Sequence, residues 1–351
     1  MAETALPAEF NSGESVSAMP GSFSRGPGKE AHVSRYYAFN GDADGLCALH
    51  QLRLVEMHPA ILVTGVKRDI TLLRHITGRV GDTVTALDVS LHQNRKDLLR
   101  LLDSGVSVRY FDHHQSGELP PYPLLEAYID ESAEVCTSIL VDRYIGGRHR
   151  SWAIVAAFGD NLTQTARAMA LQAGLDPGAT AALEKLGTCL NYNAYGESIE
   201  DLHYDPAKLS ELIMPFADPA SFIEQTDILA KLHAGYEDDM AKARGQAARR
   251  GIAPGIIVLP NEPWARRAIG ILTNELARSR PDTPHAILSP RASGGFTVSV
   301  RVPAHSPVSA AEFCSRFETG GGRKLAGGIN YLAEGDLDRF VSRFHAHFAA
   351  P

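Results

Sequence analysis

The chain has 351 residues, 44% of them hydrophobic, and a formal net charge of −7 at pH 7. That length supplies two apolar cores, and the acidic balance excludes a whole-molecule attraction for nucleic acid, so a polyanion must meet a local basic pocket or a metal cluster. Cys47, Cys136, Cys189 and Cys314 stand apart with no C-x-x-C pair, which argues against a zinc site or a disulfide framework and fits a reducing compartment.

No apolar run reaches membrane-spanning length, and no basic segment followed by an apolar one opens the chain. A cytoplasmic enzyme with no membrane partner is expected. Residues 1–32, rich in Gly, Ser, Pro and Glu, read as a disordered tail. A first domain is expected over 33–215. It alternates strands at 35–40, 60–64, 83–87 and 106–111 with helices at 45–56 and 94–102 and a short helix carrying Ile70, Leu73 and Ile76. Such alternation implies a parallel sheet with helices on both faces. After Pro120-Pro121 the pattern turns mainly helical, first at 135–144 and 151–158. Later runs break at Asp176-Pro177-Gly178 and Asp205-Pro206. Residues 216–250, charged and poor in breakers, read as one connecting helix. A smaller α/β domain over 251–351 follows. It has strands at 255–259, 285–288 and 296–302, a helix at 263–277, a glycine-rich run at 319–328 and a closing helix at 336–348. The fold class is therefore α/β, with the active site expected in the cleft between the domains.

Three strands of the first domain end in chemistry. Strand 35–40 runs into Gly41-Asp42-Ala43-Asp44-Gly45, strand 83–87 into Asp88, and strand 106–111 into Asp112-His113-His114. In open α/β sheets the ligand crevice lies at the carboxyl ends of the strands. Each feature has a plainer reading. Asp88 by itself can be a helix N-cap. Asp-x-Asp-Gly can be a turn, although the further acids of a calcium loop are missing. A lone His pair is more often structural. The three together point to a metal. Adding Asp160, from Gly159-Asp160-Asn161, gives a shell of four carboxylates and an imidazole. Four close carboxylates cannot all stay ionised unaided, and two divalent cations would balance them. The donor set suits Mn²⁺, with Mg²⁺ the alternative and Zn²⁺ disfavoured. Paired metals serve in-line displacement at a phosphoester by a metal-activated hydroxide, so no Ser, Cys or Lys nucleophile is needed. Gly320, Gly321 and Gly322 read as a phosphate cradle or as a flexible surface loop. Arg323 and Lys324 beside them, and Arg301 at the end of its strand, add positive charge. Lys67-Arg68 reads as a solvated basic pair in preference to a substrate contact. Asn191 and Asn193 suggest no role.

With these residues set out, the sequence resembles the DHH phosphoesterase family over roughly residues 35–348. The motifs are FNGDADGLCA (39–48), ALDVS (86–90), YFDHHQSG (110–117) and AAFGDN (156–161), in the family's order. TVSVR (297–301) and GGGRKLAGG (320–328) look like its DHH-associated C-terminal domain. The resemblance implies an exonuclease-like, manganese-dependent hydrolase. Members act on single-stranded DNA, oligoribonucleotides, 3′-phosphoadenosine 5′-phosphate, cyclic dinucleotides or pyrophosphate. It implies Asp42 on a first metal, Asp44, His113 and Asp160 on a second, and Asp88 bridging both. His114 would face the scissile phosphate, with Asp112 supporting the pair, so that Asp112, His113 and His114 form the catalytic group. Arg301, Gly320, Gly321, Gly322 and Arg323 would hold substrate together with His114. Two departures stand out. Many members have a His four residues before the first Asp, where this chain has Ala38, so the first metal is expected to bind more weakly or not at all. Many also end the glycine run in His, where this chain has Arg323. The expected function is hydrolysis of short single-stranded oligonucleotides or small nucleotides. A pyrophosphatase or polyphosphatase and a non-catalytic metal-bound nucleotide sensor are the alternatives. Oligomeric state is left open.

Overall fold

Aromatic and β-branched runs build the first sheet. A computed structural model describes residues 33–248 and 251–348; the stretch read as a tail lies outside them. The elements are β1 (Arg35–Phe39), α1 (Ala43–Val55), β2 (Ile61–Val63), a 3₁₀ turn (Leu72–His75), β3 (Thr83–Leu87), α2 (Leu91–Asp103), β4 (Ser107–Asp112) and β5 (Leu125–Ile129). The strands lie in the order β2-β1-β3-β4-β5, all parallel. Side chains alternate between two cores, as the period of a strand demands. Tyr37, Phe39, Leu87 and Phe111 join α1 on one face, while Ala38, Val84, Ala86, Val108 and Tyr110 join α2 on the other. Burial on both faces explains the near-continuous apolar runs. The register Phe39–Leu87–Phe111 brings β1, β3 and β4 to an end at one level.

The strand β5 was not expected. It is an edge strand, half-buried, with Glu126 as its second residue, so it lacks the continuous apolar signature of its neighbours.

Seven helices follow: α3 (Thr137–Tyr144), α4 (Arg150–Gly159), α5 (Thr163–Gln172), α6 (Pro177–Asn193), α7 (Pro206–Ile213), α8 (Pro219–Gln225) and α9 (Ile228–Ala247). The Asp-Pro pairs at 176–177 and 205–206 are helix starts. Each Asp caps the backbone and each Pro takes a first-turn position where no N–H is missed. The single connecting helix expected over 216–250 is two helices. Asp218 caps α8, and Thr226 leaves helical geometry at φ −128°, ψ 157° before α9 begins.

The C-terminal part comprises β6 (Ile256–Val258), α10 (Pro263–Ser279), β7 (His285–Pro290), β8 (Phe296–Arg301), α11 (Ala310–Cys314), β9 (Gly320–Gly322), β10 (Ala326–Leu332) and α12 (Leu337–Phe348). Its mixed sheet runs β6-β7-β8-β10-β9, with only β6 and β7 parallel. The glycine run is therefore not a flexible loop. It forms β9, turns at Arg323-Lys324-Leu325 and enters β10, pairing Gly322 with Gly327 and Gly321 with Gly328. Close approach of α11 explains two glycines: a Cβ at Gly320 would stand 1.9 Å from the Cys314 carbonyl oxygen, and one at Gly327 would stand 2.7 Å from Cys314 Sγ.

One face of α10 joins the C-terminal sheet to the helical middle. Ala268, Ile269 and Leu272 share a core with Tyr192, Met240 and Ile287. Two adjacent arginines reinforce the joint. Arg266 forks onto Asp201 (2.7 and 2.8 Å), and Arg267 onto Asp239 (2.7 and 3.2 Å). Burial raises the Asp201 carboxyl, but Arg266 and backbone donors outweigh it, and the net shift is downward.

A group held below its unfolded value near about 3.9 stabilises above that pH and loses its contribution as pH falls through the folded value. Asp201→Ala should therefore lower stability at pH 7 by about 1.5–3 kcal/mol, because it removes charge-assisted hydrogen bonds from a half-buried guanidinium. The wild-type and variant unfolding curves, followed by circular dichroism in urea, should converge below about pH 4. An unchanged midpoint at pH 7 would remove Asp201 from the joint.

Candidate metal centre

Helix starts and strand ends place each acid. Asp42 leaves β1 and caps α1, one carboxylate oxygen accepting from the Asp44 and Gly45 amides (3.0 and 3.1 Å). Its other oxygen faces the Lys67 ammonium. Asp44 lies in the first turn of α1 and reaches across to cap α3, accepting from the Thr137 and Ser138 amides (2.8 and 2.7 Å). Asp88 follows β3 with a left-handed backbone, φ 57°, a strained conformation for a residue with a Cβ. It is not a helix cap: Ser90 caps α2. Asp160 ends α4, where a Cβ at Gly187 of α6 would stand 2.1 Å from the Val155 carbonyl oxygen. That close helix crossing brings the end of α4 up to the strand ends.

At the end of β4, Asp112 is fully buried and orients both histidines. Its Oδ1 accepts from the His113 and His114 amides (2.9 and 3.2 Å) and from His114 Nδ1 (2.7 Å), while its Oδ2 accepts from the Leu91 amide (3.2 Å). Burial lowers the His114 imidazole's affinity for a proton, but Asp112 outweighs it and the net shift is upward. His113 Nδ1 donates to the Val135 carbonyl (2.9 Å). That bond fixes the tautomer and leaves Nε2 as a bare lone pair.

The lone pair at Nε2 faces only anions: Asp88 Oδ1 at 3.3 Å, Asp160 Oδ2 at 3.8 Å and Asp44 Oδ2 at 3.9 Å. Donors about 2.0–2.2 Å from a single ion stand about 3–4 Å from one another, so the spacing fits a shared cation. Asp160 Oδ2 is buried without a hydrogen-bond partner, and its carboxylate stands at a helix C-terminus, the end that repels negative charge. Burial, then Asp42 and Asp44, push the Asp88 carboxyl well above the usual range, and burial likewise raises Asp44. Asp42 alone moves down, because Lys67 outweighs burial. These residues fit a divalent ion. Cys136 adjoins them, and burial, then Asp44, push its thiol up.

All seven acids and histidines expected from the sequence at this centre thus converge: Asp42, Asp44, Asp88, Asp112, His113, His114 and Asp160. The second-domain residues are placed differently. Arg301 is largely withdrawn from solvent, its Nε on Asn274 Oδ1 (2.7 Å). Arg323 is exposed on the β9–β10 turn. The solvated basic pair expected at 67–68 is instead half-buried, because the loop after β2 folds over the strand ends. Lys67 Nζ bonds Asn191 Oδ1 (2.9 Å) as well as Asp42 and lies 5.7 Å from the Tyr195 ring centroid. Arg68 bonds Asn330 Oδ1 of β10 (3.0 Å) and lies beside Gly328. Arg68 also opens onto a cavity of about 470 Å³ between this loop and the C-terminal sheet, lined also by Arg74, Arg266 and Arg291 and by Asp69, Glu197 and Glu200. Sequence reasoning assigned none of these contacts. The signal was present in a basic pair just past a strand end, but nothing in the residues showed which way the loop turns. Asn193 is structural, exchanging hydrogen bonds with the Tyr204 backbone (2.8 and 3.0 Å).

No protein-family model matches the sequence, and no curated protein is similar to it. Solved structures are. The manganese-bound exonuclease RecJ aligns at a TM-score of 0.56 and 20% identity over 89% of each chain. The DHH domain of PF0399, described as a member of a family of ribosomal proteins, aligns at 0.60 and 15% over 90% of this chain and 86% of that one. The pGpG-specific phosphodiesterase PggH from Vibrio cholerae aligns at 0.50 and 14% over 90% and 99%. At these identities the likeness is one of fold. The chain therefore has the fold of these DHH-domain proteins, a five-stranded parallel sheet, a helical middle and a mixed C-terminal sheet, with its ordered motifs set on that fold strand end by strand end.

Proposed function

We propose that the chain is a metal-dependent phosphoesterase that hydrolyses short oligonucleotides or small nucleotides. The observation that carries this reading is the bare His113 Nε2, 3% exposed in its side chain and turned toward three carboxylates. In this reading Asp44, Asp88, His113 and Asp160 hold the ion, with Asp42 beside them. Bound there, a divalent cation, Mn²⁺ by the mixed donor set, supplies Lewis-acid activation of water and neutralises charge at phosphate. The protein's own groups do the rest. Asp112 fixes His114 through Nδ1 and leaves Nε2 to donate to a phosphate oxygen. The first domain, 33–215, carries this chemistry, and the second, 251–351, grips the remainder of the substrate.

The grip is assigned to Arg68, the adjoining β9–β10 hairpin with Gly320, Gly321, Gly322 and Arg323, and the arginine-lined cavity. Arg68 is the link between grip and ion, being one residue from Lys67. A cavity of about 470 Å³ suits a nucleotide better than bare pyrophosphate. The exonuclease and the pGpG phosphodiesterase that share the fold support the same substrate class.

Three outcomes are expected. Treatment with EDTA should abolish hydrolysis of bis-p-nitrophenyl phosphate, and Mn²⁺ should restore it better than Mg²⁺ or Ca²⁺. Full turnover by demonstrably metal-free protein would end the reading. Asp88→Ala should lower kcat more than His114→Ala while leaving the fold intact, since it relieves repulsion; near-native turnover would take Asp88 out of the site. Arg68→Ala and Arg323→Ala each remove a charge-assisted bond of about 1.5–3 kcal/mol. On a short oligonucleotide each should lose about tenfold to a hundredfold in kcat/KM, mainly through KM. Equal losses on the generic ester would place that arginine at the scissile phosphate instead.

A further inference from the structure

The two ends of the carboxylate cluster differ in what they lack. At the His113 end ligand atoms gather and no lysine or arginine pairs with them. Nε2 is bare, Asp160 Oδ2 has no partner, and Asp44 and Asp88 stand within 3.9 Å of that nitrogen. At the Asp42 end the positive charge is already there. One Asp42 oxygen is spent on the amides of Asp44 and Gly45, and the other is covered by Lys67 Nζ.

Lys67 is held in that position from several sides. Its backbone N–H donates to the Ala194 carbonyl (2.9 Å), and its own carbonyl accepts from Asn40 Nδ2 (3.4 Å). Its ammonium is fixed by Asn191 Oδ1 and flanked by the Tyr195 ring. The lysine side chain is 24% exposed and the Asp42 side chain 3%, so water screens the pair poorly. A second divalent ion at this end would need further ligands. Ala38, on the strand that delivers Asp42, packs fully buried in the apolar core on the opposite face of the sheet and offers none. Asn40 has both side-chain atoms engaged, its Nδ2 donating to the Lys67 carbonyl and its Oδ1 accepting from the Asp42 amide (3.4 and 3.3 Å).

We propose that the chain binds one divalent cation, on Asp44, Asp88, His113 and Asp160, and that the Lys67 ammonium stands against Asp42 where a second cation would sit. The proposal rests on the metal-dependent reading of the same site and says how many ions it holds and why. An ammonium supplies one positive charge where a second cation would supply two. It also supplies N–H donors of fixed direction in place of an exchangeable coordination position. Lys67 is thereby a positioning and charge-balancing residue of the centre.

Metal content tests this without reference to turnover. The full chain, dialysed to equilibrium against Mn²⁺, should hold one equivalent, and its electron paramagnetic resonance spectrum should show isolated Mn²⁺ with no exchange-coupled pair. Lys67→Met, nearly isosteric and neutral, should free Asp42 and, with ligands still short at that end, take up a second equivalent weakly, with exchange coupling at saturating Mn²⁺. Lys67→Arg, which keeps the charge, should stay at one. Two equivalents in the wild-type chain would overturn the proposal, and so would a single equivalent in a folded Lys67→Met. Should Lys67→Met fail to fold, the wild-type stoichiometry and spectrum decide alone. No bound Mn²⁺ in the wild type would overturn the metal reading beneath it.

Discussion

Mutual repulsion among Asp42, Asp44, Asp88 and Asp160 is the constraint to which the first domain answers. Three of the four side chains are almost free of water, where like charges interact far more strongly than in bulk. The fold offsets this locally in two ways. It turns the positive ends of α1 and α3 onto Asp42 and Asp44. It sets Lys67 on Asp42. The acids that remain stand around His113 Nε2. The strained backbone at Asp88 belongs to the same arrangement, since a relaxed strand end would carry its carboxylate elsewhere. Strain retained at a position with no packing benefit marks a place where geometry serves chemistry.

Much of this was legible in the residues. The sheet's buried strands alternate so cleanly between two cores that their ends, and the acids beyond them, fall at one level by register alone. Asp160 was legible as a motif residue, although its place depends on the crossing of α4 and α6 at glycine, which no periodicity announces. The edge strand β5 and the break between α8 and α9 escaped because each is decided by what covers it. An edge strand need not be apolar on both faces, and a helix interrupted at Thr226 reads as continuous when polar residues flank the gap. Lys67 escaped for a related reason. A basic residue after a strand is usually solvated, and only the path of the loop turns it inward.

The glycine run shows how one composition can serve two demands. Gly320 and Gly327 are small because α11 lies on them, whereas Gly321 has open space where a Cβ would be. Packing therefore accounts for the first two and leaves the third without a steric reason. Gly328 is intermediate, its missing side chain leaving room beside Arg68.

The paired arginines of α10 carry a consequence for how substrate length is judged. Arg266 and Arg267 are consecutive, so they leave the helix in different directions, one to the turn at Asp201 and the other to Asp239 on α9. A helix pinned at two azimuths resists both rolling and sliding. Under the proposed function, the gap between ion and grip would then be set by the scaffold and not by closure around each ligand. Such a molecule would work as a caliper, accepting a chain by the span from its reacting phosphate to the one held behind it.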